Sequence, residues 1–200
     1  MKGIVEWGRH HFMDILDENS IVFDIGANTG EVTQFILDKY NCNMSLYEPN
    51  RYLIDGLKNR FKQYKNVTIN NILISHIISK DIQFYIDEID TLSSIFKHDT
   101  MKSIKDVISI NSTTIEEEMK KYNKDIDLIK LDVEGMEYQI LKHMKPEVMR
   151  RIKQFHVEYH MYANQFPGVD RIHKKFENNG FKHIVYDNLK DHLYIRNDLI

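Results

Sequence analysis

One cysteine, Cys42, stands in 200 residues, which excludes an intramolecular disulfide framework and any zinc centre built on cysteine pairs. Three prolines and eight glycines are few, and no stretch is rich in Gly, Ser or Pro, so no linker, repeat or low-complexity segment divides the chain. No apolar run nears the roughly 20 residues that span a bilayer. The first twenty residues carry Glu6, Arg9, Asp14, Asp17 and Glu18, charges foreign to the apolar core of a secretory leader. Charge of one sign is also missing: 27 basic and 30 acidic residues leave a net charge of −3. A protein dedicated to nucleic acid needs a basic surface to release counterions from phosphates, so that class is disfavoured. What is present is a 42% apolar chain, enough for one sizeable core. The expectation is a cytoplasmic chain with a single domain over 1–200, whose residues 1–20 form an N-terminal helical extension.

The apolar pattern alternates short β-like runs with helical stretches. Ile21–Ile25 reads as a buried strand ending at Gly26, and Val32, Phe35, Ile36 and Tyr40 recur at the spacing of one helical face. Met44–Tyr47 reads as a second strand, then a helix carries Leu53, Leu57, Phe61 and Tyr64. Val67–Ser75 and Ile82–Ile86 read as further strands, residues 87–105 are polar without period, and Val107–Ile110 as another short strand. Thr113 or Thr114 suits a helix cap ahead of Glu116, Glu117 and Glu118. Ile126–Asp132 and Ile152–Tyr159 read as buried strands with a helix between them, and Val169, Ile172 and Phe176 mark a helix closed at Gly180. Phe181–Tyr186 and His192–Ile195 finish as an antiparallel pair joined by a polar turn. Such alternation implies βαβ units and a mostly parallel sheet covered on both faces, with ligands at the carboxyl ends of the strands.

Those ends carry the chemistry. After the first strand comes Asp24-Ile25-Gly26-Ala27-Asn28-Thr29-Gly30 and then a helix. The glycines permit a sharp turn, and the helix start behind it presents free N–H groups. The Gly-x-x-x-Gly spacing and the acid before it suit a ligand bearing an ammonium or sulfonium better than a dinucleotide pyrophosphate. Glu48 ends the second strand, 24 residues after Asp24, where an acid in a Rossmann-like fold accepts ribose hydroxyls. Asp132 and Glu134 follow the buried strand Ile126–Asp132, two residues apart, and Glu137 next to them suits a helix cap. His156, Glu158 and His160 share one face of the next strand, as a polar side, a base or a hard-metal ligand set.

Val22 to Gly30, the Tyr47-Glu48-Pro49-Asn50 tip and Ile126 to Glu137 together resemble the FkbM-type methyltransferases, with three separated motifs in the right order from about residue 20 to 160. The resemblance implies a Rossmann-like three-layer αβα sandwich whose seven-stranded sheet is mostly parallel with the last strand antiparallel. It also implies S-adenosylmethionine (SAM) as cofactor and O-methylation of a hydroxyl on a sugar or glycan, a deoxysugar such as rhamnose or fucose foremost. The implied cofactor residues are Asp24, Gly26, Ala27, Asn28, Thr29, Gly30, Thr33, Glu48, Pro49, Asn50, Asn71, Ile72 and Asp132. Residues 1–20 and 87–125 match no pattern and are expected to shape the acceptor pocket.

Methyl transfer is an in-line displacement that also requires removal of the acceptor proton. An ordinary carboxylate is a feeble base for an alcohol, so a carboxylate or imidazole with a perturbed pKa is needed, from Asp132, Glu134, Glu158 or His160. The alternative is Mg²⁺ held at Asp132 and Glu158, acidifying the bound hydroxyl. Trp7, Tyr159, Tyr162, His10, His11 and the segment His156–His160 are candidate stacking and hydrogen-bonding surfaces for a sugar. An RNA ribose 2'-O-methyltransferase and an inactive SAM-fold binding domain remain as rival readings. An NAD-dependent oxidoreductase is opposed by the glycine spacing. The compactness of the chain and the lack of an acceptor module also fit one part of a longer polypeptide.

Overall fold

The computed structural model describes residues 3–88, 93–96, 103–160, 166–186 and 190–200. It begins with two strands, β1 (Ile4–Trp7) and β2 (His10–Met13), paired antiparallel. The helical extension expected over 1–20 is therefore corrected to a hairpin. Val5 and Phe12 face each other across the pair and are buried while Ile4 and Glu6 are exposed, a period of two. Gly8 supplies the positive φ of 59° needed in the connecting turn.

The next elements are β3 (Ile21–Ile25), α1 (Glu31–Tyr40), β4 (Asn43–Tyr47), α2 (Arg51–Arg60) and β5 (Val67–Asn70). They are followed by β6 (Leu73–Ile74), β7 (Ser79–Asp87), β8 (Ile104–Thr113) and α3 (Ile115–Met119). The chain closes with β9 (Leu128–Leu131), α4 (Glu137–His143), α5 (Pro146–Met149), β10 (Gln154–Glu158), α6 (Phe166–Asn178), β11 (Phe181–Val185) and β12 (Asp191–Arg196). Among the described residues, seven strands form one sheet in the order β11-β12-β10-β9-β3-β4-β5. The central strands are parallel, and β12 runs antiparallel to both β10 and β11. The expected Rossmann-like sheet with an antiparallel last strand is what the chain forms. No helix among the described residues is long and apolar enough to cross a membrane.

Both faces of this sheet are covered, which is why β3 is buried at every position. Its side chains alternate: Phe23 and Ile25 join Leu131, Phe155, Ile140 and Phe176 on the face under α4 and α6. Val22 joins Met44, Leu46, Ile36 and Leu57 on the face under α1 and α2. Burying each such side chain stabilises the fold by about 1.5–3 kcal/mol. In α2 the buried residues are Ile54 and Leu57 rather than Leu53, and Phe61 packs just beyond the helix. The cap of α3 is Thr114, whose side chain accepts from the Glu117 N–H.

The strand expected over Val67–Ser75 divides. Val67–Asn70 pairs with β4, whereas Leu73–Ile74 turns away to pair with Ser112–Thr113 of β8. With the long antiparallel pair β7–β8 it makes a separate three-stranded sheet around Leu73, Phe84, Ile86, Ile108 and Ile110. Of the stretch read as polar over 87–105, residues 89–92 and 97–102 lie outside the described residues. So do Tyr162 and 187–189 of the polar turn before β12.

Candidate active site

Strand order reverses between β3 and β9, since the chain winds outward through β4 and β5 and then crosses to β9 and β10. In open α/β sheets the loops beyond such a point diverge and leave a crevice. A cleft of about 410 Å³ lies there. Its walls are the ends of β3, β4, β9 and β10, the hairpin residues Trp7, Arg9 and His10, and Leu73, Ile74, Phe84 and Ser93 from the second sheet and its loop.

The floor is set by a backbone crossing. A Cβ on Gly26 would lie 1.7 Å from the carbonyl oxygen of Asp132, and Gly26 holds φ at 79°, so two loops meet here at a distance only glycine allows. Lys130 ties the same two loops together from below. Its Nζ donates to the Gly26 carbonyl at 2.6 Å and pairs with Asp132 at 3.1 Å and Asp24 at 3.4 Å. Asp24 is fully buried and also accepts from the Thr33 hydroxyl at 2.6 Å. Burial opposes the Lys130 charge, but Asp132 and Asp24 outweigh it and keep the ammonium firmly protonated. Asp24 and Thr33 thus lie beneath the turn and not along the cleft wall. The cation that Asp24 faces here is one of the protein's own, Lys130.

Glu48 ends β4 with its side chain in the cleft wall, 5% exposed. Its two oxygens accept the backbone N–H groups of Asn28 and Asn50, each at 2.8 Å. Burial raises its pKa to about 7, against those hydrogen bonds and the Lys130 charge. Asn28 is held at φ 49°, an uncommon state for a side-chain-bearing residue that aims its N–H at the carboxylate. Asn50 caps α2 through its side chain, accepting from the Tyr52 N–H. Asn71 donates to the carbonyls of Glu48 and Pro49.

The opposite wall is acidic. Asp132, Glu134 and Glu158 line it, and His160 sits behind them, 3.8, 3.4 and 3.5 Å away respectively. Its other ring nitrogen lies 3.0 Å from Glu137, which also accepts the Val133 and Gly135 N–H groups and so binds the loop rather than simply capping α4. Burial would lower the His160 pKa, but the hydrogen bonds to Glu137 and Glu158 and the charges of Glu137 and Glu134 raise it to about 11. The charged form of the imidazole is therefore the favoured one, set among the carboxylates of Asp132, Glu134, Glu137 and Glu158. Burial likewise works to raise the Asp132 pKa, and Lys130 and His160 overcome it and hold it low. Arg9 reaches from the hairpin to Glu158 at 2.5 Å. His10 lies 3.2 Å from His156, which faces the hairpin instead of the cleft.

Of the sequence-derived site residues, Gly26, Ala27, Asn28, Thr29, Glu48, Pro49, Asp132, Glu134 and Glu158 converge on the cleft. Asp24, Gly30, Thr33, Asn50, Asn71, Ile72 and His160 stand behind its walls, and Leu73 and Ile74 line it where Asn71 and Ile72 were expected. Lys130, marked in the sequence only as a lysine inside an otherwise apolar strand, and Arg9, which carries no local signal at all, also line the cleft. Asp132, Glu158 and His160 each bring one ligand atom within 4.8 Å of the others. Magnesium takes oxygen ligands in octahedral geometry, and one of the three ligand atoms here is an imidazole nitrogen, a poor fit.

Residues 24–183 match the family model described as the methyltransferase FkbM domain. No curated protein matches the chain by sequence. Solved structures with the same fold include an rRNA methylase from Streptococcus thermophilus, 12% identical, TM-score 0.53, covering 90% of this chain and 87% of that one. SMU.1697c of Streptococcus mutans, a putative methyltransferase in complex with SAH, is 14% identical with TM-score 0.50, covering 90% and 88%. The fibrillarin pre-rRNA processing protein of Methanococcus jannaschii is 12% identical with TM-score 0.53, covering 98% and 71%.

Proposed function

Because the chain belongs to the FkbM methyltransferase family, we propose that it moves a methyl group from SAM to a hydroxyl of a sugar or glycan, with a deoxysugar such as rhamnose or fucose as the favoured acceptor. The observation that carries the acceptor class is the charge of the cleft. Glu31, Glu48, Asp132, Glu134 and Glu158 line it against Arg9 and Lys130. Such a wall repels a phosphate backbone and suits a neutral polyol, whose hydroxyls donate to carboxylates.

The residues fit the cofactor. Glu48 is a buried carboxylate facing the cleft at a desolvation cost that two ribose hydroxyls would offset. The start of α1 behind the glycine turn favours the carboxylate end of a methionine group. When bound, SAM supplies a methyl group on a sulfonium. The chain's own part is to bind, orient and deprotonate. Glu134 is the proposed base, since Lys130 and His160 hold Asp132 low and Arg9 pairs with Glu158 at 2.5 Å. Asp132, held low by Lys130 and His160, would supply negative charge for the sulfonium. Holding the acceptor oxygen in line supplies on the order of 7–11 kcal/mol of the barrier reduction. Trp7, which stacks on both Phe35 and His10, lines the cleft at the hairpin edge, where its indole would meet a sugar ring.

The test is incubation with labelled SAM against free deoxysugars, oligosaccharides and short RNAs. Label on a sugar hydroxyl is expected; label on RNA alone overturns the acceptor class. Glu48→Ala should weaken SAM binding roughly 10–100-fold, about the worth of one charge-assisted hydrogen bond. Unchanged affinity would refute the ribose assignment. Turnover should survive EDTA, whereas a loss reversed by Mg²⁺ would reassign Asp132 and Glu158 to a metal.

A further inference from the structure

Three histidines from three elements meet on the far side of the sheet edge. In the β11–β12 pair His183 lies opposite Tyr194 and Val185 opposite His192. Residues two apart on a strand share a face, so His183, His192 and Tyr194 project to one side, where α6 brings His173 over them. His183 Nε2 lies 2.8 Å from His192 Nδ1, with the ring planes within 5° of each other. The His173 ring stacks on His183 at 3.9 Å between centroids. One ring nitrogen from each of the three lies within 4.8 Å of the other two. His192 is buried and the other two are half-buried, and none belongs to the cleft wall.

We propose that His173, His183 and His192 bind one borderline divalent transition-metal ion, Zn²⁺ foremost, which pins α6 to the β11–β12 pair. Three imidazole nitrogens without a carboxylate select Zn²⁺, Co²⁺, Ni²⁺ or Cu²⁺ over the oxygen-seeking Mg²⁺ and Ca²⁺. A tetrahedral centre with metal–nitrogen bonds of about 2.05 Å sets its ligands about 3.3 Å apart. The His183–His192 contact of 2.8 Å needs to open by only about half an ångström to admit it. His173 completes the set by turning from stacking to convergence, and water takes the fourth position. The Tyr194 hydroxyl, 2.8 Å from His173 Nδ1, is the outer contact that fixes a ligand ring. Tyr194 in turn meets the Tyr159 hydroxyl at 3.0 Å, which anchors the cluster to the core.

The experiment uses the full chain without an affinity tag, stripped with chelator and titrated with Co²⁺. One equivalent with visible d–d absorption, displaced by Zn²⁺, is expected, and Zn²⁺ should raise Tm. His183→Gln with His192→Gln should lower Co²⁺ affinity by more than the roughly 10–100-fold that loss of an outer-shell partner costs. His173→Gln, at a half-buried position on α6, should do the same even if the double variant folds poorly. Absence of the absorption overturns the proposal, as does affinity unchanged by His173→Gln. Binding lost instead in Asp132→Asn would place the ion in the cleft and overturn it as well.

Discussion

Lys130→Met removes the cation that joins Asp24, Asp132 and the Gly26 carbonyl while keeping most of the side-chain volume. Lys130 and Asp24 are 5% and 1% exposed at the side chain, so solvent screens little of their interaction. At an effective dielectric of roughly 20, unit charges at the 3.4 Å and 3.1 Å separations attract by about 5 kcal/mol each. Much of that offsets desolvation in the native protein, but deleting one partner strands the other, which costs about 3–5 kcal/mol. For a chain of this size that corresponds to a fall in Tm of roughly 6–20 °C. A double-mutant cycle with Asp24→Asn in urea isolates the pair. Asp24→Asn should recover part of the loss in the Lys130→Met background, with a coupling of at least about 2 kcal/mol. Additive effects, within about 0.5 kcal/mol, would refute the claim that Lys130 neutralises Asp24. SAM affinity should fall in Lys130→Met too, since the Gly26 turn loses its tie to β9.

Gly26→Ala should abolish cofactor binding and lower Tm by several degrees, because the added Cβ meets the Asp132 carbonyl at 1.7 Å; wild-type calorimetric titration by this variant would contradict the crossing. His160, with a folded pKa of about 11 against 6.5, contributes stability that is fully present below pH 6.5 and is lost as pH rises towards 11. His160→Gln is therefore expected to cost about 3–5 kcal/mol at pH 6, with the gap from wild type narrowing up to pH 10 in denaturant melts. Parallel stability curves would show that the imidazole is not charged.

Local patterns were enough to recognise the αβα sandwich. Strand and helix periodicity depends on near neighbours, so Ile21–Ile25, Glu31–Tyr40 and the final antiparallel pair could be read directly. The Gly26 turn, Glu48 and the Asp132–Glu134 loop could be placed at the cleft for a related reason: glycines and acids just past a strand mark the turns at the carboxyl edge of the sheet, where the cleft opens. Contacts between distant segments left no such trace. The hairpin of residues 4–13 is short and charged, and it became two strands because Met13 and Arg9 dock on Gln154 and Glu158, more than 140 positions away. Leu73–Ile74 left the main sheet for a partner at Ser112–Thr113. The charge state of His160 depended on four carboxylates gathered from two strand ends, and the His173–His183–His192 cluster on a helix crossing a strand pair. Each is a matter of which side chains share space once the chain is compact, and dielectric and proximity are properties of that space, not of any run of residues.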